Sequence, residues 1–247
     1  MYNYTSQIKN YNIHATDGEM GKIKDLYIDD KNWEIRYAIV DTRKWLPGRK
    51  VLLPPSTFTA IHEEEESVDV EYDKDTVRNS PPVPENEDLS SDQESTLMDY
   101  FGWNTYRSNA LLGPDGKPLG TFEHDSMLQD NVPEEPHAHR PIDGHRTGNG
   151  LRSEDETIGF KVHAKDGKIG KITDMIYDTE HWEIKYIVVK TSDNFTEDEL
   201  YIYRTEQIGT VDWFEKDLYI NDSVAGISSN KPFTDKKDII ASLSYAR

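Results

Sequence analysis

The chain of 247 residues contains no cysteine. Disulfides, thiolate metal sites and cysteine nucleophiles are therefore excluded. No apolar run approaches the ~18 residues that a membrane-spanning helix needs, so no direct membrane insertion is expected. Met1 to Asn10 lacks the apolar stretch of a secretory leader. Basic residues are scarce: 28 Lys and Arg stand against 47 Asp and Glu, a formal net charge of -19. That field repels phosphate backbones and anionic lipid surfaces, so no nucleic-acid partner is expected. Neither a Gly-x-Ser-x-Gly elbow nor a Gly-Lys-Ser/Thr phosphate loop occurs. These absences predict a soluble, cytoplasmic protein with no catalytic signature and no cofactor motif.

What the chain does contain is one stretch written twice. Tyr11 to Thr42 reads YNIHATDGEMGKIKDLYIDDKNWEIRYAIVDT, and Phe160 to Thr191 reads FKVHAKDGKIGKITDMIYDTEHWEIKYIVVKT. The two align without a gap, which marks an internal duplication. Each opens on an alternating run, Tyr11, Ile13, Ala15 and Phe160, Val162, Ala164, the mark of a half-buried strand. Asp17-Gly18 and Asp166-Gly167 then signal a hairpin, because the turn needs positive φ and glycine supplies it. Gly21 and Gly170 predict a bulge or a close backbone approach. A longer strand follows, Lys22 to Asp29 in the first copy. From Trp33 and Trp182 a further strand alternates, placing Ile35, Tyr37, Ile39 and Ile184, Tyr186, Val188 toward the interiors. Past Thr42 the likeness continues with one extra residue in the second copy. Val51-Leu52-Leu53 matches Tyr201-Ile202-Tyr203, Phe58 matches Ile208, and Val68 and Val70 match Leu218 and Ile220. Each unit thus holds about six short strands, which favours a small barrel or sandwich.

The pattern Asp-Gly-x-x-Gly-Lys, then Trp-Glu-Ile-Arg/Lys-Tyr, then Gly48-Arg49-Lys50-Val51-Leu52-Leu53-Pro54-Pro55, resembles the PRC barrel. That is the β-barrel of the photosynthetic reaction-centre H subunit's cytoplasmic domain and of the C-terminal domain of a ribosome maturation factor. Val77 to Pro82 is similar to the family's closing segment, and Leu151-Arg152-Ser153 to the lead-in of tandem members. The resemblance implies an all-β chain of two small PRC-like barrels. They occupy 1–82 and 151–233, joined by an acidic, partly structured linker over 83–150 and followed by a tail over 234–247. It further implies an interaction module, a non-catalytic adaptor or scaffold for a protein partner, with homodimerisation as one mode. An accessory role in photosynthesis or electron transport is the second reading. An enzyme working through paired carboxylates is the third.

The linker holds a cluster too aromatic for free chain. Leu97, Met98, Tyr100, Phe101, Trp103 and Tyr106 are predicted to pack on a barrel or to await a partner. A tight hairpin is expected over 109–122, and Asp73 to Asn79 and the stripe Ile239, Ile240, Leu243 read as short helices. Candidate interaction residues are Phe101, Trp103, Tyr106, Trp33 and Trp182. Asp25 with Asp29, and Asp174 with Asp178, are the candidate carboxylate pairs for a cation or proton, since i and i+4 share a face of a strand. The bland alternative is that they cap turns or accept from Lys22 and Lys171. His14 and His163 sit at equivalent positions and are expected to bond a neighbouring loop. His137, His139 and His145 with Asp143 could chelate a metal, but no regular element preorganises them.

Overall fold

The computed structural model describes residues 1–84, 89–103, 150–191, 199–223 and 232–245. Tyr106, the hairpin over 109–122 and the histidines of the linker lie outside the described residues. The first unit opens with β1 (Tyr2–Tyr4) and a single helical turn, α1 (Thr5–Ile8). It continues through β2 (Asn12–Ala15), β3 (Gly18–Asp29), β4 (Ile35–Asp41), β5 (Arg49–Leu53), β6 (Phe58–His62) and β7 (Ser67–Val70). Then come α2 (Lys74–Asn79), β8 (Val83–Pro84) and α3 (Ser91–Phe101). The second unit repeats the plan with β9 (Leu151–Ser153), α4 (Glu154–Thr157), β10 (Lys161–Ala164), β11 (Gly167–Asp178) and β12 (Glu183–Thr191). It ends with β13 (Leu200–Arg204), β14 (Ile208–Asp212), β15 (Asp217–Ile220) and α5 (Lys236–Tyr245).

The chain is mostly β, in two sheets. One runs β5-β4-β3-β2-β7-β6, the other β13-β12-β11-β10-β15-β14, the same order twice. In each, the hairpin closes on the residues just before the glycine, as Ala15 pairs with Gly18 and Ala164 with Gly167. Gly21 and Gly170 mark the close approach that their positions predict. A Cβ there would sit 2.1 Å from the Asp41 carbonyl oxygen and 2.0 Å from that of Lys190.

β3 and β11 each run 12 residues, far past the end of their own hairpin partner. The overhang is paired by the other unit. β1 lies antiparallel on β11, with Tyr2 opposite Asp178 and Tyr4 opposite Ile176. β9 does the same on β3, with Tyr27 opposite Ser153 and Asp29 opposite Leu151. The two units have therefore traded their leading strands, and this covers edge backbone that would otherwise stay unpaired. They meet again at the tight turns. The Ile35 amide donates to the Trp182 carbonyl at 2.7 Å, and the Ile184 amide to the Trp33 carbonyl at 2.9 Å. One apolar cluster runs through both units, including Ile13, Leu26 and Leu53 with Ile172, Met175 and Ile187.

The third strand of each unit corrects the simple alternation. The pairing of β3 with β4 shifts register between Tyr27 and Ile28, and that of β11 with β12 between Ile176 and Tyr177. Each shift is a bulge, which flips the face of the residues beyond it. Ile35, Ala38 and Val40 point into the shared core, as do Ile184, Ile187 and Val189. Tyr37 and Ile39, and likewise Tyr186 and Val188, face the outer side instead. They are buried there because helices cover them. α3 brings Leu97 and Met98, with Trp103 just beyond it, onto Tyr37, Ile39 and Leu52. α5 brings Ile239 and Leu243 onto Tyr186 and Val188.

Candidate functional site

The repeated carboxylates hold the exchanged elements. Asp25 on β3 accepts from the Ser153 hydroxyl at 2.6 Å, the Asp155 amide at 3.0 Å and the Leu26 amide at 2.8 Å. It thus caps α4, which belongs to the other unit. Asp174 does the same for α1, accepting from the Thr5 hydroxyl at 3.1 Å, the Ser6 amide and hydroxyl, and the Met175 amide. Lys236 at the start of α5 also donates to Asp174, which is fully buried. Between the two caps lies Glu154, which accepts from Thr5 at 2.6 Å and from Lys9. Lys9 also pairs with Asp155. Burial raises the Glu154 carboxyl, and the nearby charge of Asp25 adds to the rise, while bonds from Lys9 and Thr5 oppose it. Burial likewise raises Asp25, against the bonds from Ser153 and the Asp155 and Leu26 amides.

Asp29 and Asp178 do not join these groups, contrary to the expectation of paired carboxylates. Asp29 caps its own turn through the Lys31 amide at 3.0 Å and pairs with Arg36 at 3.4 Å. Asp178 takes the Met1 ammonium at 3.3 Å, the Glu180 amide at 3.1 Å and His181 at 2.8 Å. Burial would lift it, but those bonds hold it down at about 2. The two members of each pair do share the outer face, because the extra residue of the bulge lies on β4 and β12, but four residues of extended strand hold them roughly 13 Å apart, too far to meet. In place of Lys22 and Lys171, Arg36 meets Asp29, Lys236 meets Asp174 and the N-terminal ammonium meets Asp178.

Among the described residues two groups bring ligand atoms within 4.8 Å of one another: the carboxylates Asp25, Glu154 and Asp155, and Asp178, Glu180 and His181. In the first, the Lys9 ammonium already supplies the positive charge. In the second, the N-terminal ammonium and His181 itself bond Asp178. The equivalent histidines each bond an aspartate of the adjoining strand. His14 lies 3.5 Å from Asp69, and His163 bonds Asp217 at 3.1 Å and stacks on Tyr219.

The candidate aromatic residues fare differently. Trp103 and Trp182 come together at one cleft of about 530 Å³, with Phe58, Met98, Pro54 and Pro55. Trp103 is fixed by its ring nitrogen, which donates to the Tyr72 hydroxyl at 2.9 Å, and by a stacked Phe101 at 4.5 Å. Trp182 stacks on Tyr177 and meets Phe58 edge-on at 5.3 Å. α3 is anchored over this cleft by Glu94, which accepts from Tyr37 and Arg36, each at 2.8 Å. Burial and the Glu94 carboxylate raise the Tyr37 phenol well above its usual range. Trp33 is buried in the shared core, away from this surface. Both Trp33 and Trp182 hold positive φ, 61° and 57°, in the turn before the strand. A tryptophan in that conformation is unusual, and only the tertiary contact of the two turns explains it.

The repeat order, the exchanged strands and the glycines against backbone carbonyls meet a known domain family at one end of the chain. Residues 2–77 form a PRC-barrel domain. The match spans β1 through most of α2, so it covers the whole strand set of the first sheet up to β7. Within this PRC-barrel domain lie Asp25, Trp33 and the Pro54-Pro55 wall of the aromatic cleft. No curated protein matches the chain. Among the described residues no helix is long and apolar enough to cross a membrane.

Proposed function

We propose that the chain is a non-catalytic scaffold in which a tandem pair of PRC-type barrels binds a protein partner through the aromatic cleft. The observation that carries the reading is the convergence of Trp103, Trp182, Phe58 and Met98 with two prolines at the seam between units. Phe58 and Trp182 are partly exposed there, above a floor of the buried Trp103 and Met98, and aromatic side chains presented in a cleft are the usual anchors of protein recognition. The cleft is of a size to take one or two apolar side chains of a partner. Its rim is polar, with Glu34, Arg36, Glu180 and His181, as interface rims are. The carboxylates support the same reading by what they already do. Asp25 and Asp174 are engaged in capping α4 and α1, which favours a structural over a catalytic duty for them. The same strand order in the second sheet supports its assignment as a second barrel of this type.

The test is affinity capture from the source cells, with the captured protein quantified against a blocked cleft. Ser56 is exposed on the cleft wall, so Ser56→Trp fills the cleft without touching the core. The parent is expected to retain a partner that Ser56→Trp loses at an unchanged melting temperature. Equal capture by both, or capture of nothing by the parent, overturns the reading.

A further inference from the structure

The duplication supplies an internal comparison for every surface of the molecule. A second cleft, of about 480 Å³, lies where β3, β4 and β5 of the first unit face β9 and the β14–β15 turn of the second. Six basic side chains line it, Lys24, Arg43, Arg49, Lys50, Arg152 and Lys216, in a chain of formal net charge -19. In the other copy, Lys24 aligns with Thr173, Arg49 with Glu199, Lys50 with Leu200, Arg152 with Asn3 and Lys216 with Glu66. None of those is basic. Trp213 and Phe214, on the same turn as Lys216, align with Glu63 and Glu64. The interiors have not diverged in this way: Ile23 matches Ile172, Ile35 matches Ile184, and Val40 matches Val189. The fold therefore does not require these cations, yet they gather on one face.

The acidic side chains of the cleft are mostly engaged. Asp41 is held by Arg43 through two bonds, at 2.8 and 2.6 Å. Asp155 pairs with Lys9, and Asp25 accepts from Ser153 and the Asp155 amide. Among the described residues, Arg49 meets no such partner. Its guanidinium donates to the carbonyls of Arg78, Ser80 and Pro81 and to the Ser80 hydroxyl. Its Nε is buried without a hydrogen-bond acceptor. A desolvated cation without a counter-charge is unfavourable, and an anion in the cleft removes that penalty. Lys24 and Lys216 are exposed, one from each unit. Phe214 is 74% exposed, the highest value among the large apolar side chains of the described residues.

We propose that this cleft binds a small polyanion carrying a planar ring, of the nucleoside-phosphate class. The phosphate oxygens face Arg49, Lys24, Lys50 and Lys216, and the ring lies against Phe214. The volume suits a ligand of that size. The field of the whole chain rejects an extended nucleic acid, whereas a small ligand inside the cleft sees the local cations within a Debye length of ~8 Å. Multiple charge-assisted bonds to phosphate are the strongest polar contacts available to such a site.

Isothermal titration of the full chain with ATP, pyrophosphate and adenosine tests the assignment. ATP is expected to bind, pyrophosphate more weakly, and adenosine not at all at millimolar concentration. Lys24→Glu and Lys216→Glu should each weaken ATP at least about tenfold, the equivalent of one lost charge-assisted contact. Phe214→Ala should weaken ATP and leave pyrophosphate unchanged. Glu64→Ala, on the opposite copy, should change nothing. All four positions are exposed, so an unchanged melting temperature verifies each fold. Absence of heat with both ATP and pyrophosphate overturns the proposal, as does ATP binding that neither lysine variant alters. Pyrophosphate binding as tightly as ATP, with Phe214→Ala silent, overturns the ring and hence the nucleoside class. Ser56→Trp should leave ATP binding intact, so the fate of this site is independent of the protein-binding cleft.

Discussion

Asp174→Ala tests whether the two units fold as one. Asp174 sits on the second unit but accepts from Thr5 and Ser6 of α1, at the leading end of the first unit. It also accepts from Lys236 and from the Met175 amide. Removing it takes an acceptor from three segments: the buried Met175 amide, the Ser6 amide and hydroxyl, and the Lys236 ammonium, while the Thr5 hydroxyl keeps Glu154. Orphaning the buried amide and loosening the cap costs about 1–3 kcal/mol. For a cooperative unit of this size, 1 kcal/mol moves the melting temperature by roughly 2–4 °C. Asp174→Ala should therefore lower it by roughly 2–12 °C. The assay is differential scanning calorimetry, read for the number of transitions as well as their midpoints. A single endotherm that moves as a whole is expected, because the cap spans both units and the apolar cluster is continuous. Two endotherms of which only the later unit's moves would refute the reasoning, and so would a shift under ~2 °C.

Trp103→Ala removes the anchor that holds α3 to Tyr37 and Tyr72 and should destabilise by about 3 kcal/mol. Hydrogen exchange over 91–103 should then accelerate selectively, and unchanged protection there would sink the claim. Asp178 has its carboxyl lowered from 3.8 to about 2 in the folded chain. The stability it contributes is therefore fully present above its unfolded pKa and is lost as pH falls through about 2. The melting temperatures of the parent and Asp178→Asn should differ at pH 6 and converge toward pH 2, and a gap independent of pH would contradict the linkage.

The strands were legible because each copy carries its own periodicity and turn chemistry. Asp17-Gly18 and the alternation after Trp182 placed hairpins and strands without any knowledge of the rest of the chain. The helical stripe Ile239 to Leu243 was visible for the same reason, and it buries the side chains its spacing selects. Of the aromatic cluster, read as packing on a barrel or awaiting a partner, Leu97, Met98 and Trp103 pack on the first sheet with Phe101 at their edge, while Tyr100 is exposed. That the segment is helical was signalled only by Ser90 and Gln93, which form a capping box. The faces of Tyr37 and Tyr186 were not legible, because a bulge adds one residue without leaving a mark in composition. Nor was the exchange of β1 and β9, since pairing between segments so distant in sequence depends on backbone bonds that any sequence can make. The carboxylate pairs misled for a related reason. Repetition of Asp25 as Asp174 reported a repeated structural duty, and that duty only appears once the other unit is in place.

That dependence gives a last expectation, for the first unit taken alone. A fragment of residues 1–103 would keep β1 but lose β11, on which β1 lies. It would also expose the edge of β3 from Tyr27 to Asp29, which β9 covers. Asp25 would lose the Ser153 hydroxyl and the Asp155 amide. The fragment holds stand-ins for the missing groups: β1 aligns with β9, and Thr5 and Ser6, which cap onto Asp174 in the full chain, can do so onto Asp25. Two copies can therefore satisfy each other by laying β1 of one on β3 of the other, as an isologous, strand-exchanged pair. Sedimentation equilibrium of the fragment should show a dimer that dissociates with loss of structure. Asp25→Ala should abolish the pair, since it removes the cap for α1 of the other copy. A fragment that is monomeric and fully folded at micromolar concentration would show that the exchange is incidental to stability. It would also show that β3 tolerates an open edge, which its length and buried flanks argue against.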